Sequence, residues 1–303
     1  MLVDPQQMMN SRYGVGLASL IGRVTPSPLG FSLAGFLGRR IAARRTWKMV
    51  RSLRLNQWIA RGEKLSKEDL DRAVQESFEC TAHAIFDLYH SDHNPDQMLR
   101  RICYDSIFDE IIHAPRQTRQ SQVFVFIHLA YFDFVGQSGF FRDLDILAVA
   151  LPQTRGGYLW QNEKRRKAGM QIVSGNTAGL IKALDYLKSG GDVLTGMDRP
   201  ISDYRYCPRF FNRPAAMPVH AIYLALKARV PVRVIGTYLQ QDGTIQVLYS
   251  EPIEMHPLPD RHASLVTNAE TVLKVIEGFI RRAPQQWAMT FPVWPDMLDK
   301  VPN

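Results

Sequence analysis

Apolar residues along this chain follow two different periods, and the change falls near residue 121. Before it the spacing is helical. Leu70, Val74, Phe78, Ala82, Ile85 and Leu88 recur at three- and four-residue intervals, the stripe of an amphipathic helix. Ser66 stands before that stripe, with Glu68 and Asp69 in the first turn, where a hydroxyl and acids complement unpaired N–H groups. A helix is therefore predicted from Ser66 to about Tyr89. A second is predicted after Pro95, through Met98, Ile102, Ile107 and Ile111.

Beyond residue 121 the runs shorten. Val123–Ile127 (VFVFI), Asp145–Leu151 (DILAVAL) and Asp192–Gly196 (DVLTG) read as buried strands. Asn176 caps a helix that Gly190 and Gly191 end. A helix over Met217–Ala228, a strand over Val232–Leu239, a strand over Ile245–Tyr249 and a long helix over His262–Arg282 follow. Gln241-Asp242-Gly243 joins the last two strands as a hairpin turn. Strands alternating with helices define an α/β fold with a mostly parallel central sheet flanked by helices. The all-helical region of about 120 residues before it is expected to cover one side.

The N-terminus carries a different pattern. Two short apolar runs, Gly14–Gly22 and Leu29–Gly38, are split by Pro26 and Pro28. Neither approaches the roughly 20 apolar residues that cross a bilayer. From Pro5 to Gly62 there is no acid, while Asp4 and ten Arg or Lys residues give residues 1–62 a charge of 10 − 1 = +9. The whole chain carries +8, so the remaining 241 residues carry 8 − 9 = −1. Short apolar helices followed by an arginine-rich one suit an anionic membrane surface, with cations on headgroups. The alternative is a helical hairpin packed on the protein's own core with a solvated basic face. Stacking aromatics are few there, which disfavours nucleic acid. The expected division is 1–62 as membrane-docking helices and 63–303 as the α/β domain, helical over 63–120 and sheet-containing over 121–303. Cys80, Cys103 and Cys207 lie far apart and imply neither zinc nor a disulfide framework, which fits a reducing compartment.

Three segments carry candidate chemistry. His128 stands just past a buried strand, with Asp133 five residues on. Open α/β sheets place ligands at such strand ends, and a carboxylate-steadied imidazole can take a proton from an alcohol. Backbone N–H groups of the turn after the strand would steady the oxyanion. The plain alternative is a histidine and an acid that never meet. Lys164-Arg165-Arg166-Lys167 could clamp a phosphate, or could be a solvated helix face. Gly196-Met197-Asp198-Arg199-Pro200 ends another strand, as a ligand site or an ordinary turn. His90-Ser91-Asp92-His93 follows a helix end without zinc spacing and reads as a polar turn, so no metal is expected.

Taken in order, these pieces resemble the bacterial lipid A biosynthesis acyltransferases, a family that also includes phosphatidylinositol mannoside acyltransferases. Arg51-Ser-Leu-Arg-Leu-Asn56, Leu65-Ser66 and Glu76-Ser77-Phe78 resemble its opening region. His128–Asp133 resembles its HxxxxD/E block and Tyr158–Gly169 its arginine-containing block. Gly191-Asp-Val-Leu through Asp198, Phe210-Phe-Asn-Arg-Pro-Ala215, Val230-Pro-Val232 and Gln286-Trp287 resemble later blocks. The resemblance implies transfer of a fatty acyl group from acyl carrier protein or coenzyme A to a hydroxyl of a lipid or glycolipid. That thioester is a co-substrate, and no cofactor is expected. The place of action implied is the cytoplasmic face of the bacterial inner membrane, peripherally bound. Under the resemblance His128 is the base and Asp133 its partner, and Arg165 is the nearest match to the arginine of the second block, a role Arg166 could equally hold. Because both segments lie beside predicted strand ends, Arg165 with Asp198 or Arg199 is expected to line the substrate cleft near His128. Asp133 stands where lipid A enzymes usually carry Glu, nearer the mannoside type. Met197-Asp198-Arg199 and Asn212 also depart from the usual blocks, which keeps open a catalytically silent lipid-binding relative.

Overall fold

A computed structural model describes residues 12–104, 106, 109, 114, 118–151 and 156–302. Three helices come first: α1 (Arg12–Val24), α2 (Ser27–Ala42) and α3 (Lys48–Ala60). The long α4 (Lys67–Ser91) follows, with Ser66 accepting from the Asp69 N–H at its start, as its sequence predicts. The helix after Pro95 is shorter than expected. α5 (Pro95–Arg100) ends before a two-residue strand, β1 (Ile102–Cys103). Ile102 is drawn out of the helix because it pairs with Ile245. Ile107 and Ile111 lie outside the described residues.

The α/β part alternates as its periodicity implies: β2 (Val123–Phe126), α6 (Phe132–Gln137), β3 (Ile146–Ala150), α7 (Gly157–Lys167), β4 (Gln171–Ser174), α8 (Thr177–Lys188) and β5 (Asp192–Gly196). A small hairpin, β6 (Arg209–Phe210) and β7 (Arg213–Pro214), precedes α9 (His220–Ala228), β8 (Val232–Leu239), β9 (Ile245–Tyr249) and α10 (Arg261–Arg282). α9 begins three residues later than the apolar run from Met217. Seven strands form one sheet in the order β1-β9-β8-β2-β5-β3-β4. β8, β2, β5, β3 and β4 are mutually parallel, and β9 returns antiparallel to β8. This is a mixed α/β fold with a mostly parallel, helix-flanked sheet.

Each face of the sheet has its own core. On one, Val123, Val125 and Val193 meet α3, α8, α9 and α10. On the other, Phe124, Ile146 and Leu194 meet α6 and the far half of α4. α4 serves both, with Leu70, Val74 and Phe78 in the first core and Ala84, Leu88 and Tyr89 in the second. The arginine-rich α3 is no peripheral helix. Leu53, Leu55 and Ile59 are buried in the first core, and Asn56 Nδ2 donates to the carbonyls of Met289 and Phe291 at 2.8 Å.

α1 and α2 pack on α4 through small residues. A Cβ on Gly30 would fall 1.9 Å from the Phe86 ring, and one on Gly38 would fall 2.8 Å from the Phe78 carbonyl oxygen. Glycine is needed there because no other residue lets the backbones come so close. His90 clips the joint, its Nδ1 bonding the Gly22 carbonyl and its Nε2 the Ser27 hydroxyl, both at 2.8 Å. None of the described helices is long and apolar enough to cross a membrane.

Gly38→Val should prise α2 from α4, because backbone, not a movable side-chain end, blocks the new Cβ. Overpacking of this kind costs roughly 1–3 kcal/mol. Hydrogen exchange should show faster exchange in residues 27–42, while the sheet stays protected.

Candidate active site

The register of two parallel strands creates the site. Phe126, the last residue of β2, is paired with Gly196, the last of β5. His128 and Asp198 each stand two residues further on, so they arrive side by side. His128 Nδ1 lies 2.6 Å from Asp198 Oδ1, and the His128 backbone N–H donates to Oδ2 at 3.0 Å. A third donor comes from near the C-terminus, where Trp287 Nε1 donates to Oδ2 at 2.9 Å. Asp198 is 0% exposed. Burial pushes its pKa up, but the facing imidazole and the hydrogen bonds from His128 and Trp287 outweigh this and hold it below the usual carboxylate value.

An ionised carboxylate only accepts, so Nδ1 carries a proton, and in the neutral ring Nε2 is the nitrogen that holds the lone pair. The ring stands between Phe126 and Phe132, with centroids 5.1 and 5.0 Å away. It is also crowded from β5, because a Cβ on Gly196 would come within 3.1 Å of its Cε1. The imidazole is therefore fixed in both orientation and tautomer, and it lines a cleft of about 1070 Å³ across the strand ends.

The expected partnership of His128 with Asp133 is replaced. Among the described residues no hydrogen bond joins them. Asp133 instead accepts from Arg165, from Nε at 3.0 Å and from Nη2, and Asn162 Oδ1 accepts from Nη1 at 2.6 Å. The physical reason is helical geometry: Asp133 lies in the first turn of α6, beyond Phe132, and faces α7. Asp198, expected on the cleft wall as a substrate ligand, lies behind His128. Arg165 and Arg199 do line the cleft, whereas Arg166 is exposed and outside it. Arg199 donates to the Tyr158 hydroxyl at 3.0 Å and stacks over Phe291 at 4.0 Å. The N–H groups of His128, Leu129 and Ala130 all bond protein acceptors. The turn therefore does not offer them to an oxyanion, and Arg165 and Arg199, with Arg205 and Arg261, are the arginines in the cleft wall.

Trp287 acquires its role only in three dimensions. Gln286 exchanges two hydrogen bonds with the Leu239 backbone, its carbonyl accepts from Ala130 N–H, and the Ala288 N–H donates to the His128 carbonyl. Gln286-Trp287 thus clasps the end of β2. Phe210 and Phe211 pack their rings 6.0 and 6.1 Å from Trp287. Phe211 and Asn212 sit at φ 49 and 61, which explains why a glycine suits the second of these positions.

The cleft also holds a second histidine. His220, at the start of α9, bonds Thr195 Oγ1 through Nε2 at 2.6 Å. Desolvation pushes its pKa down to about 4, so it is neutral at pH 7. A lone histidine at a helix start gives no sequence signal of this placement.

With this geometry established, comparison with known proteins defines the class. The family model for bacterial lipid A biosynthesis acyltransferase matches residues 6–295. The chain belongs to that family, and it is an acyltransferase of lipid biosynthesis. No curated protein matches it.

Two stability predictions follow from this site. Trp287→Phe removes one of three donors to a buried charge and should cost about 1.5–3 kcal/mol, read as a lower midpoint in urea unfolding. His220 gives a pH signature. The unfolded imidazole takes a proton near pH 6.5, but the folded one refuses it until about pH 4. Its contribution is intact above pH 6.5 and declines by up to about 1.4 kcal/mol per pH unit as pH falls through that window. Unfolding at pH 7.5 and 5.0 should show a shallower acid slope for His220→Gln than for the wild-type chain.

Proposed function

We propose that the protein is a membrane-surface O-acyltransferase that moves a fatty acyl group from a thioester onto a lipid or glycolipid hydroxyl, with His128 as base and Asp198 as its partner. The observation that carries this is the His128–Asp198 pair, which engages Nδ1 and leaves Nε2 without a hydrogen bond among the described residues, on a ring that lines the cleft. An alcohol is a poor nucleophile at neutral pH, whereas a thioester is already activated. Nε2 takes the hydroxyl proton as the oxygen attacks the thioester carbonyl. The thiolate then leaves and takes up that proton, and no acyl-enzyme is required. Asp198 steadies the imidazolium that forms between these steps.

The surroundings suit such substrates. A nearly all-apolar pocket of about 90 Å³ shares Phe126, Phe132 and Arg165 with the cleft and runs beneath α6 to Phe141 and Met170. It is a natural place for a hydrocarbon tail. Arg165, fixed by Asp133, and Arg199, fixed by Tyr158, offer guanidinium groups to phosphate oxygens of the carrier's pantetheine arm or of the acceptor headgroup. Acyl carrier protein and coenzyme A are both candidate carriers. The proposed place of action is the cytoplasmic face of the bacterial inner membrane.

The test is acyl transfer by purified protein, with acyl thioesters and extracted membrane lipid supplied. His128→Ala should lose about 10²–10⁴-fold in rate. Asp198→Asn should lose about 10⁴-fold, because an amide holds the wrong tautomer. Asp133→Asn should act mainly through KM, by freeing Arg165. Wild-type rates from Asp198→Asn beside an inactive Asp133→Asn would restore the pairing expected from sequence. A trapped acyl-serine or acyl-cysteine would replace direct transfer with a covalent route.

A further inference from the structure

α1 and α2 turn their small residues inward and their large ones outward. Leu17 and Leu20 are each 59% exposed, Val24 71%, Leu29 62% and Phe36 51%, with Ile21, Leu33 and Leu37 also exposed. These positions recur at helical spacing, so each helix carries one outward apolar stripe. Soluble monomers seldom leave such a surface uncovered.

The cations of the same segment mostly face the other way. Arg23 pairs with Asp92, Arg39 with Glu79, Arg45 and Arg54 with Asp71, Arg51 with Asp299 and Arg61 with Glu76. Among the described residues, at least six of the ten cations between residues 1 and 62 are thus in ion pairs within the chain. Arg40, Arg44 and Lys48 are exposed together beyond the end of the α2 stripe, and Arg40 lies over the Phe36 ring.

We propose that the α1–α2 stripe docks on a lipid bilayer by inserting apolar side chains into its interface, and that anionic lipid is an accessory, not a requirement. This refines the membrane-surface reading but is tested by binding alone. Helices of 13 and 16 residues are too short to span the bilayer, so they lie in its surface plane. A second copy of the chain fits this face less well. Neither helix carries an acid within its described residues, so a twin surface has no counter-charge for Arg40, Arg44 and Lys48. Lipid phosphates supply it. The face is also continuous with the proposed chemistry. α4 holds α2 through Phe86 and α1 through Tyr89, and its Ile85 and Tyr89 line the cleft. Docking this stripe therefore brings the cleft beside the bilayer.

Flotation of the full-length protein with phosphatidylcholine vesicles, and with vesicles containing phosphatidylglycerol, tests this. At about 1 kcal/mol per cation near an anionic surface, the full net charge of +9 would favour anionic vesicles roughly a millionfold, and three cations about a hundredfold. The expected result is clear binding to pure phosphatidylcholine, retained at 1 M salt, with a preference for phosphatidylglycerol of no more than about a hundredfold. Combined Leu20→Gln, Leu29→Gln and Phe36→Gln should abolish binding with unchanged circular dichroism, since these side chains support no core. Combined Arg40→Gln, Arg44→Gln and Lys48→Gln should keep binding to phosphatidylcholine. Binding confined to anionic vesicles and lost in salt would overturn the proposal. So would wild-type binding by the Leu20/Leu29/Phe36 variant, or a solution dimer through this face that ignores vesicles. Transfer to detergent-dispersed lipid, assayed in parallel, reports on the proposed catalysis separately.

Discussion

A carboxylate sealed from solvent must find donors or lose its charge, and Asp198 is the group around which this chain is arranged. Removing such an ion from water costs several kcal/mol, which only close and well-aligned partners offset. Its donors come from two distant parts of the chain: His128, through ring and backbone, and Trp287. Holding them requires more of the chain. Gln57 Nε2 donates to the Pro284 carbonyl at 2.7 Å and Asn56 grips Met289 and Phe291, so α3 fixes the segment that carries Trp287. Glu277 accepts from the Phe211 N–H at 2.6 Å, steadying the aromatic pair that packs on the indole. The RSLRLN, FFNRPA and QW blocks, scattered over 230 residues of sequence, converge on one buried charge.

Much of this was legible beforehand, for definite reasons. VFVFI is a short β-branched and aromatic run bounded by polar residues, and DVLTG a short run between glycines, which is the pattern of buried strands. His128 was marked by standing just past one of them. The partner was not legible, because strand order is set by three-dimensional packing. The paired residues of β2 and β5 lie 70 residues apart in sequence, and the Val123-to-Val193 register is fixed only when the sheet forms. Had their adjacency been known, equal offsets of two residues from paired strand ends would have placed Asp198 beside His128. The five-residue spacing to Asp133 was the more visible pattern, and it serves a different contact. Ile102 was misplaced for a similar reason, since a two-residue strand has no period and exists through its pairing with β9.

The charge of residues 1–62 shows how far a count of cations can mislead. A sum of +9 describes a sequence, whereas a field depends on what stands opposite each cation. α4 sets Asp71, Glu76 and Glu79 against α2 and α3, so much of the apparent positive surface is neutralised internally. Each exposed pair is worth only about 0.2–1 kcal/mol, so these contacts are a minor source of stability. The joint between the helix pair and the core is made chiefly by close glycine packing and the His90 bridge. Those contacts also decide which side faces out. With small residues needed against α4, the large apolar ones are left for the opposite side.

The separation of Asp133 from His128 has a chemical logic of its own. An imidazole has two nitrogens, and Asp198 takes one. If Asp133 also bonded the ring it would occupy Nε2, the only atom left to receive a proton from a substrate, and the proposed base would be blocked. One acid behind the ring and another turned toward Arg165 avoid that conflict. Asp198 sets the tautomer in a dry environment. Asp133 and Arg165, both partly accessible at 17%, place a guanidinium at the cleft wall. The two acids therefore face different tolerances. Asp133 sits at a partly open boundary, where a longer acid would carry Arg165 with it. Asp198 is enclosed by three donors with no open side, and any change in its length must displace either the imidazole or the indole.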